Sequence, residues 1–461
     1  MSATVTSVDP ATGDTIATYD RHGTAEVARR LERAERAFER WRGTPVGERA
    51  ATLARVAEVL DAEREELARL VTGEMGKPIT EARAEIAKCA AACRYYATHA
   101  ARMLRPEAVP LDAARGSVVL DPLGVVLAVM PWNFPFWQVF RFAAPALAAG
   151  NAGLLKHASN VTGAALAIER VLARGGVPEG VFQTLVVGAD AIPAIVADAR
   201  VRAVTLTGSE SAGVAVAEAA GRALKKCVLE LGGSDPFLVL ADADVAHAAR
   251  QAALARVVNS GQSCIAAKRF IVVAPLADAF LDALADAMRA LVVGDPMDPA
   301  TQVGPLARAD LRDEVRRQVE ASVAAGARLV LGGRPLARPG FYLEPTVLAD
   351  VGPGMPAFDE EIFGPVAAVV RAQDEADAVR LANASPYGLG ASIWSRDVMH
   401  AEEMARRLDV GMVFVNEIVR SDPRVPFGGI KRSGYGRELS HHGLREFVNV
   451  RTIVVGHHDD N

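Results

Sequence analysis

The hydrophobic and polar positions of the N-terminal region follow a helical rhythm. The segments AEVARRLERAERAFERW and ERAATLARVAEVLDAEREELARLVTGEMGKP repeat apolar residues at steps of three and four, which predicts amphipathic helices between Thr24 and about Leu104. Gly76 followed by Pro78 is a helix-stop signal within this region. The proline-bounded segment PEAVPLDAARGSVVLDP that comes next predicts a β-hairpin that leaves the main body.

Beyond residue 124 the pattern changes to short apolar runs that alternate with helical segments. A first series comprises VVLAVM, AGLLK, FQTLVVG, AVTLTGS and KCVLELGG, and a second comprises PFLVL, RFIVVA, ARLVLGG, AAVVRA, ASIWS and GMVFVN. Buried runs separated by helices are typical of parallel sheets with helices on both faces. The chain is therefore predicted to hold two α/β domains that meet near residues 231–235. The tail EFVNVRTIVVGHH is a strand pattern, and an edge strand there would invite pairing with another subunit.

Composition and charge narrow the class of protein. Half of the 461 residues are hydrophobic and the net charge is −5, so a globular chain is expected, without the basic surface that nucleic acid or an anionic membrane requires. No signal peptide is predicted. The apolar segment 124–155 is interrupted by prolines and polar residues, which is typical of a core and not of a membrane span. Four cysteines without a secretory signal predict a cytoplasmic chain with reduced thiols.

One of the four cysteines stands apart from the others. Cys264, in NSGQSCIAAKRF, lies among small residues that would leave its sulfur approachable, and helix-terminal N–H groups or a nearby cation would lower its pKa. An inert packing role is the usual alternative for a free cysteine. Cys89, Cys93 and Cys227 fall on apolar patterns and are interpreted as core residues.

Three further polar residues occupy apolar surroundings. Asn133 is bracketed by prolines in PWNFP, and is either a turn residue or an amide donor for an oxyanion. Arg141 lies in an apolar helical segment and needs an anionic partner, either a structural carboxylate or that of a substrate. Glu230, in LELGGSDP, is costly to bury unless it is paired or used in chemistry.

The sequence gives weaker evidence for sites that bind anions or metals. In AVTLTGSESAG, Gly208 and Ser209 form a strand-to-helix turn that is suited to an anion. Glu210 stands where the dinucleotide fingerprint has its second glycine, so the spacing does not match. The pairs His441–His442 and His457–His458 lack a third ligand and are interpreted as surface residues, and no metal site is predicted.

Taken together, the motifs resemble the aldehyde dehydrogenase superfamily, and within it the succinate-semialdehyde dehydrogenases. The likeness runs in order through PWNFP, LTGSESAG, LELGGSDP, NSGQSCIAAKR, EEIFGPV and SDPRVPFGGIKRSGYGRE. It implies a Rossmann-like cofactor domain (1–106 and 124–232) and an α/β catalytic domain (233–440). It also implies a small β oligomerisation element (107–123 and 441–461), and hence a homodimer or homotetramer.

The resemblance implies a role for each candidate. Cys264 would attack the aldehyde to give a thiohemiacetal, whose oxyanion Asn133 and the backbone N–H of Cys264 would hold. Hydride transfer would leave a thioester, and Glu230 would activate the water that hydrolyses it. Ala266 stands where some relatives carry a second cysteine, so a regulatory disulfide at that position is excluded.

The resemblance also implies the cofactor site. Lys156 and Glu361 would hold the riboses, and Phe363 would flank the nicotinamide. Many NAD-linked relatives have a glutamate where this chain has Ser159, and serine removes the repulsion of a 2′-phosphate, so NADP is favoured over NAD. The remaining cofactor contacts implied are Trp132, Gly208, Ser209 and Leu231.

Substrate choice follows from Arg141, eight residues after Asn133. On the helix that lines the family's aldehyde tunnel, its guanidinium could pair with the distal carboxylate of succinic semialdehyde. Ser421 could add a hydroxyl contact, and Arg424 is a second candidate cation. A broad-specificity aldehyde dehydrogenase is the main alternative. A CoA-acylating relative or a non-catalytic one is disfavoured, because Glu230 and Cys264 are both present.

Overall fold

The computed structural model describes residues 4–112 and 114–456. The chain opens with an antiparallel hairpin of β1 (Thr4–Val8) and β2 (Thr15–Asp20). Four helices follow: α1 (Thr24–Arg42), α2 (Val46–Ala62), α3 (Arg64–Met75) and α4 (Ile79–Met103). α3 ends at the predicted stop signal, where Gly76 adopts a φ of 78° and its N–H donates to the carbonyl of Thr72.

The first large sheet has six strands in the order β17-β9-β8-β5-β6-β7, and all but β17 run parallel to their neighbours. Its strands are β5 (Val125–Met130), β6 (Ala152–His157), β7 (Phe182–Thr184), β8 (Val201–Thr207), β9 (Lys226–Glu230) and β17 (Gly434–Tyr435). The helices of this region are α5 (Trp137–Ala149), α6 (Thr162–Arg174), α7 (Ile192–Ala197) and α8 (Glu210–Arg222).

The second large sheet has seven strands in the order β12-β13-β14-β11-β10-β15-β16. Only β12 is antiparallel to its neighbour. Its strands are β10 (Asp235–Val239), β11 (Ala267–Val273), β12 (Arg328–Leu331), β13 (Thr346–Ala349), β14 (Val366–Ala372), β15 (Gly390–Trp394) and β16 (Met412–Val415). Its helices are α9 (Val245–Val257), α10 (Ala277–Arg289), α11 (Ala309–Ala324), α12 (Pro356–Asp359), α13 (Glu375–Asn383) and α14 (Val398–Ala405).

Both large sheets are buried on both faces, as their unbroken apolar strands predicted. In β5, Val126 and Ala128 belong to one hydrophobic cluster, and Val125 and Leu127 belong to another on the opposite face. The side chains of β10 and its neighbouring strands are divided in the same way between two further hydrophobic clusters. Alternate side chains of a strand point to opposite faces, so helices must cover both sides. This arrangement confirms the predicted α/β class.

A third, antiparallel sheet has the order β18-β4-β3. Its strands are β3 (Glu107–Leu111), β4 (Ala114–Pro122) and β18 (Val448–Gly456). The hairpin predicted after α4 is therefore confirmed, and the strand-like tail adds to it over nine register pairs from Val448↔Pro122 to Gly456↔Ala114. The outer edge of β18 has no partner strand in the described part of the chain.

Two elements cross the domain limits expected from the sequence. β17, from the segment 233–440, pairs with β9 in the first large sheet. α15 (Ser440–Glu446), at the start of the segment 441–461, packs against α4 and α5. Leu444 and Phe447 accordingly belong to the core beneath the first sheet. Within the described residues, only the strand of that last segment joins the third sheet.

Candidate active site

Cys264 follows a turn with an uncommon backbone conformation. Three consecutive residues, Asn259, Ser260 and Gly261, have φ values of 54°, 55° and 80°. Left-handed angles cost free energy at the two residues that carry a Cβ, and they persist only where surrounding contacts hold them. The turn joins the end of α9 to the loop before β11, so it decides where Cys264 lies.

Three hydrogen bonds hold this turn in place. The backbone N–H of Asn259 donates to Glu81 Oε2 at 2.7 Å, and its side-chain Nδ2 donates to the carbonyl of Asn133 at 2.7 Å. The N–H of Gly304 donates to Ser260 Oγ at 2.9 Å. The turn is thereby tied to the PWNFP loop, and the positions of Asn133 and Cys264 are coupled.

Cys264 lies partly exposed on the wall of a cavity of about 150 Å³. Burial raises the pKa of its thiol to about 12, while the charges of Arg141 and Lys268 oppose that rise. The Lys268 ammonium also donates to the carbonyl of Cys264 at 2.9 Å. The cations that the sequence led us to expect are present, but burial outweighs them, so the thiol needs a base to become a nucleophile.

Asn133 presents its amide next to this loop. It is buried, and Nδ2 donates to the carbonyl of Gln262 at 3.0 Å. A side-chain amide has two N–H donors, so one fixes the residue and the second has no acceptor among the described residues. His157 supports the loop, since its ring nitrogens lie 2.9 Å from the carbonyl of Pro135 and 3.2 Å from that of Met130.

Glu230 is the last residue of β9 and is buried. Neither carboxylate oxygen has a hydrogen-bond partner among the described residues. Burial raises its pKa well above the usual range, Glu438 adds to the rise, and Arg141 opposes it. Gly428 makes room for it, because a Cβ there would lie 2.5 Å from Glu230 Oε1. An unsatisfied buried carboxylate of this kind has the character of a general base.

Arg141 has an internal anionic partner. Its guanidinium forms an ion pair with Glu438, donates to Thr207 Oγ1 at 3.2 Å and lies 4.4 Å from the ring centre of Phe427. The sequence left a structural carboxylate and a substrate carboxylate open as its partner, and the structure provides the first. Arg141 still lines the cavity of Cys264, so a contact with substrate stays a prediction.

Ser421 lines the same cavity and accepts two hydrogen bonds there. Its Oγ accepts from Lys88 Nζ at 2.7 Å and from Trp137 Nε1 at 3.0 Å. Arg424, the other candidate cation, is mostly exposed and pairs with Asp422 at 2.6 Å. It does not line this cavity.

A second group of candidates lies at the carboxyl edge of the first large sheet. Gly208 follows β8, and Ser209 caps α8 by accepting a hydrogen bond from the N–H of Ala212. Leu231 follows β9 directly, and Gly213 of α8 packs closely against its side chain. The edge of the sheet and the helix N-terminus together form the kind of crevice that binds the phosphates of a dinucleotide.

The remaining candidates meet near the cysteine loop. The rings of Trp132 and Phe363 are in edge-to-face contact with centres 5.7 Å apart. Glu361 Oε1 accepts from the N–H of Gly233 at 3.1 Å and lies 3.4 Å from Lys268 Nζ. Lys268 therefore links Glu361 to the loop of Cys264.

Comparison with known proteins identifies this arrangement. A model of the aldehyde dehydrogenase family matches residues 1–453. The chain belongs to the aldehyde dehydrogenase family. It is 50% identical over 451 residues to a probable NADP+ succinate-semialdehyde dehydrogenase of Synechocystis sp., covering 98% of this chain and 99% of that protein. It is also 50% identical to NADP+ succinate-semialdehyde dehydrogenase 1 of Mycobacterium tuberculosis, covering 98% and 99%.

Solved aldehyde dehydrogenase structures share the whole fold. Succinic semialdehyde dehydrogenase from Streptococcus pyogenes, in complex with NADP+, matches with a TM-score of 0.96 at 38% identity and covers 98% of this chain and all of that one. Succinate-semialdehyde dehydrogenase from Burkholderia pseudomallei matches with a TM-score of 0.95, also at 38% identity, over 98% of this chain and 95% of its own. The predicted family and the aldehyde dehydrogenase fold are both confirmed.

The aldehyde dehydrogenase family implies a nicotinamide cofactor, and the residues around the end of β6 fit its phosphorylated form. Burial lowers the pKa of Lys156, and the nearby charge of Arg21 lowers it further. Nε of Arg21 is buried without a hydrogen-bond partner among the described residues, and its Nη1 lies 3.9 Å from Asp190. Ser159, three residues after Lys156 along the chain, is exposed and carries no charge. Two cations and a serine would therefore hold a 2′-phosphate.

Three residues of this aldehyde dehydrogenase escaped the sequence analysis. Lys88, Arg21 and Glu438 each act across a separation of more than a hundred residues. Glu438 ends the motif SDPRVPFGGIKRSGYGRE, but nothing in that motif marks it as the partner of Arg141. The signal for Lys88 was a lysine in the apolar stretch IAKCAAAC of α4. No comparable signal marks Arg21, which precedes the first helix.

The described residues contain no group of three or more His, Cys, Asp or Glu side chains placed to hold a metal ion. His441 and His442 are exposed, whereas His457 and His458 lie outside the described residues. Within 4–112 and 114–456, no helix has the length and apolar character needed to cross a bilayer.

Proposed function

We propose that this aldehyde dehydrogenase oxidises succinic semialdehyde to succinate with NADP+. The observation that carries the proposal is the cavity that Cys264 shares with Arg141 and Ser421. It places a nucleophile in one enclosed space with groups that suit a carboxylate. The relatives named for this reaction, at 50% identity over nearly their full length, support the same substrate.

The proposed chemistry uses the side chains in sequence. The Cys264 sulfur attacks the aldehyde carbon, and its proton passes to Glu230, whose raised pKa suits it to accept one. The second N–H of Asn133 stabilises the oxyanion of the thiohemiacetal. When bound, NADP+ supplies the hydride acceptor that converts this adduct to a thioester. Glu230 must first release the Cys264 proton to solvent. It then takes a proton from the water that attacks the thioester carbon, the C–S bond breaks, and succinate leaves with the Cys264 sulfur restored.

The proposed cofactor residues fall into two sets. Lys156, Ser159 and Arg21 would hold the 2′-phosphate end. The phosphates, the nicotinamide and its ribose would be held by the turn after β8 and by residues near the cysteine loop: Gly208, Ser209, Leu231, Trp132, Phe363 and Glu361. Glu361 would exchange its contact with Lys268 for the ribose hydroxyls.

We also propose a homodimer or homotetramer in the cytoplasm, with the three-part division expected from the sequence. The open edge of β18 supports self-association. The four cysteines are all free, in agreement with a reducing compartment. The three separate sheets support the division into a cofactor domain, a catalytic domain and an oligomerisation element.

A spectrophotometric assay tests the proposal. NADP+ and NAD+ are crossed with succinic semialdehyde and with butanal, and reduced nicotinamide is followed by absorbance, with Cys264→Ala as the blank. The expected result is the highest kcat/KM for NADP+ with succinic semialdehyde and no turnover by the blank. Equal kcat/KM for the two aldehydes would instead establish the broad-specificity alternative.

A further inference from the structure

Lys88 is the cation of the substrate cavity that lacks an anionic partner. Its Nζ donates to Ser421 Oγ at 2.7 Å and lies 4.4 Å from the ring centre of Trp137. It forms no ion pair with a carboxylate of the described residues. The other two cations that line this cavity, Arg141 and Arg420, are already paired with Glu438 and Glu417 respectively.

The carboxylates nearest to Lys88 along α4 are engaged elsewhere. Glu85 pairs with Lys77 and accepts the backbone N–H groups of Phe136 and Trp137 at 2.8 and 2.9 Å. Glu81 accepts the N–H of Asn259 at 2.7 Å. The ammonium of Lys88 therefore retains two N–H donors and an uncompensated charge in a largely enclosed position.

Lys88 also lies on the path into the site. It lines both the inner cavity of Cys264 and an outer cavity of about 530 Å³. Phe134, Trp137, Val258 and Ile418 line both cavities as well. The junction is thus an apolar collar with a single charged group, and an aldehyde that reaches Cys264 through it leaves its distal end near Lys88.

The O–H group of Ser421 is a further hydrogen-bond donor of this site. A hydroxyl oxygen has two lone pairs and one O–H. Both lone pairs are occupied, by Lys88 Nζ and Trp137 Nε1, and no acceptor for the O–H exists among the described residues. The proton is consequently available to a bound anion, beside the free N–H groups of Lys88.

We propose that Lys88 and Ser421 form the anchor for the distal carboxylate of the substrate, and that Lys88 determines the preference for ω-carboxylated aldehydes. The anchor rests on the proposed function, since it deepens the choice of succinic semialdehyde. A charge-assisted contact within an enclosed cavity distinguishes a carboxylate from a methyl group strongly. In this arrangement Arg141 favours the ionised form of Glu230 and forms part of the cavity wall.

Substitution of Lys88 by Met, with Arg as the conservative variant, tests the anchor. Lys88→Met should raise KM for succinic semialdehyde by about tenfold or more, because one charged partner is lost. KM for butanal should change by less than about twofold, since Met keeps the apolar stem of the side chain. Lys88→Arg should retain the preference of the wild type.

The pH dependence of substrate preference distinguishes a direct contact of Lys88 with the carboxylate from a purely structural role of Lys88. Burial lowers the pKa of Lys88 to about 8, Arg141 lowers it further, and Cys89, Glu85 and Asp422 oppose the fall. The ammonium is present below this pKa and is lost above it. The ratio of kcat/KM for succinic semialdehyde to that for butanal should therefore fall above about pH 8 in the wild type, and stay level in Lys88→Arg. Ionisation of Cys264 cancels in the ratio.

Each outcome decides between the proposals. If the wild type prefers succinic semialdehyde and Lys88→Met leaves that preference intact, the anchor is overturned while the proposed function stands, and Arg141 becomes the carboxylate ligand. If the wild type shows no preference, both the anchor and the proposed substrate are overturned. Loss of preference in Lys88→Met with recovery in Lys88→Arg supports both.

Discussion

At the scale of single residues, the surroundings of Glu230 have opposing effects on its pKa. Burial and the neighbouring Glu438 favour its protonated form, whereas Arg141 favours the carboxylate. Arg141 also opposes the rise in the pKa of Cys264. One guanidinium thus acts on both the base and the nucleophile, and Glu438 limits its effect on each. This dual position gives Arg141 a role even without direct contact to substrate.

Ser159 provides a test of cofactor choice at a single residue. Ser159→Glu should lower kcat/KM for NADP+ by about tenfold or more, because a carboxylate beside a 2′-phosphate is repelled. The same carboxylate can accept hydrogen bonds from the ribose hydroxyls of NAD+, so kcat/KM for NAD+ should hold or rise. Steady-state kinetics with both cofactors measures the change.

Ser159→Gln is the matched control, since it adds similar bulk without charge. It should keep the preference for NADP+. A Gln variant that loses NADP+ activity as fully as the Glu variant would mean that size, and not charge, governs this position.

The sequence identified individual residues only where a motif marked them. Cys264, Asn133 and Glu230 belong to short motifs. The structure places each at a strand end or in a loop, and their catalytic roles stay predictions. The partner of Arg141 could not be predicted, because Glu438 lies almost three hundred residues away. Lys88 is separated from Ser421 by a similar distance along the chain, 333 residues, so only the tertiary fold shows that they meet.

At the scale of elements, the turn before Cys264 shows how the fold keeps the nucleophile in position. Gly261 packs against the backbone of Gly364, in the segment that also carries Glu361 and Phe363. The segment proposed to bind the cofactor and the loop before Cys264 therefore touch backbone to backbone, without intervening side chains. Displacement of either segment would move the other.

Replacement of Gly261 by Ala should disturb both segments. Its φ of 80° is unfavourable for a residue with a Cβ, and that Cβ would collide with the carbonyl of Gly364 and lie 2.8 Å from Pro365 N. We expect a loss of about 3 kcal/mol in the free energy of unfolding, together with a large fall in kcat. Urea denaturation and the absorbance assay measure the two effects.

Gly352→Ala is the matched control for Gly261→Ala, because nothing lies within 4 Å of its added Cβ. It should unfold within about 0.5 kcal/mol of the wild type and keep full activity. If Gly261→Ala behaved in the same way, the close approach would be unimportant for the position of Cys264.

Elements with strong periodicity were predicted well, whereas two short strands, β13 and β17, were missed. The run VVLAVM coincides with β5, and the helical pattern at the N-terminus coincides with α1. The single pattern that follows α1 is divided in the structure into α2 and α3 at Glu63. β13 has four residues and β17 has two, so neither carries a period long enough to read, and their pairing partners decide that they are strands.

At the scale of the whole molecule, the site is assembled from both large sheets. The first sheet contributes Asn133 after β5 and Glu230 at the end of β9, and the second contributes Cys264 before β11. Helix α4 contributes Lys88 and Glu81 from the N-terminal region. The relative position of these candidate residues therefore depends on how the two sheets are held together. The strand β17, which pairs in the first sheet although it follows the second along the chain, contributes to that.

The third sheet leaves an apolar strand edge uncovered within one chain. β18 is exposed along nearly its whole length, and its apolar residues Val450, Ile453, Val454 and Val455 are 63%, 42%, 54% and 47% exposed. A long exposed edge with apolar side chains favours pairing with another chain. A second copy of this chain is the partner that the predicted homo-oligomer would supply.

Two charges on this strand should dissociate the oligomer. Val450 and Val454 point to the same face because they are four residues apart in a strand, and the double variant Val450→Asp, Val454→Asp would bury like charges against an apolar partner. Sedimentation should shift from a multiple of the subunit mass to the 48.7 kDa of one chain. Met399→Asp, at a residue 69% exposed on α14, is the control and should sediment as the wild type does. An unchanged mass in the double variant would show that subunits associate through another surface.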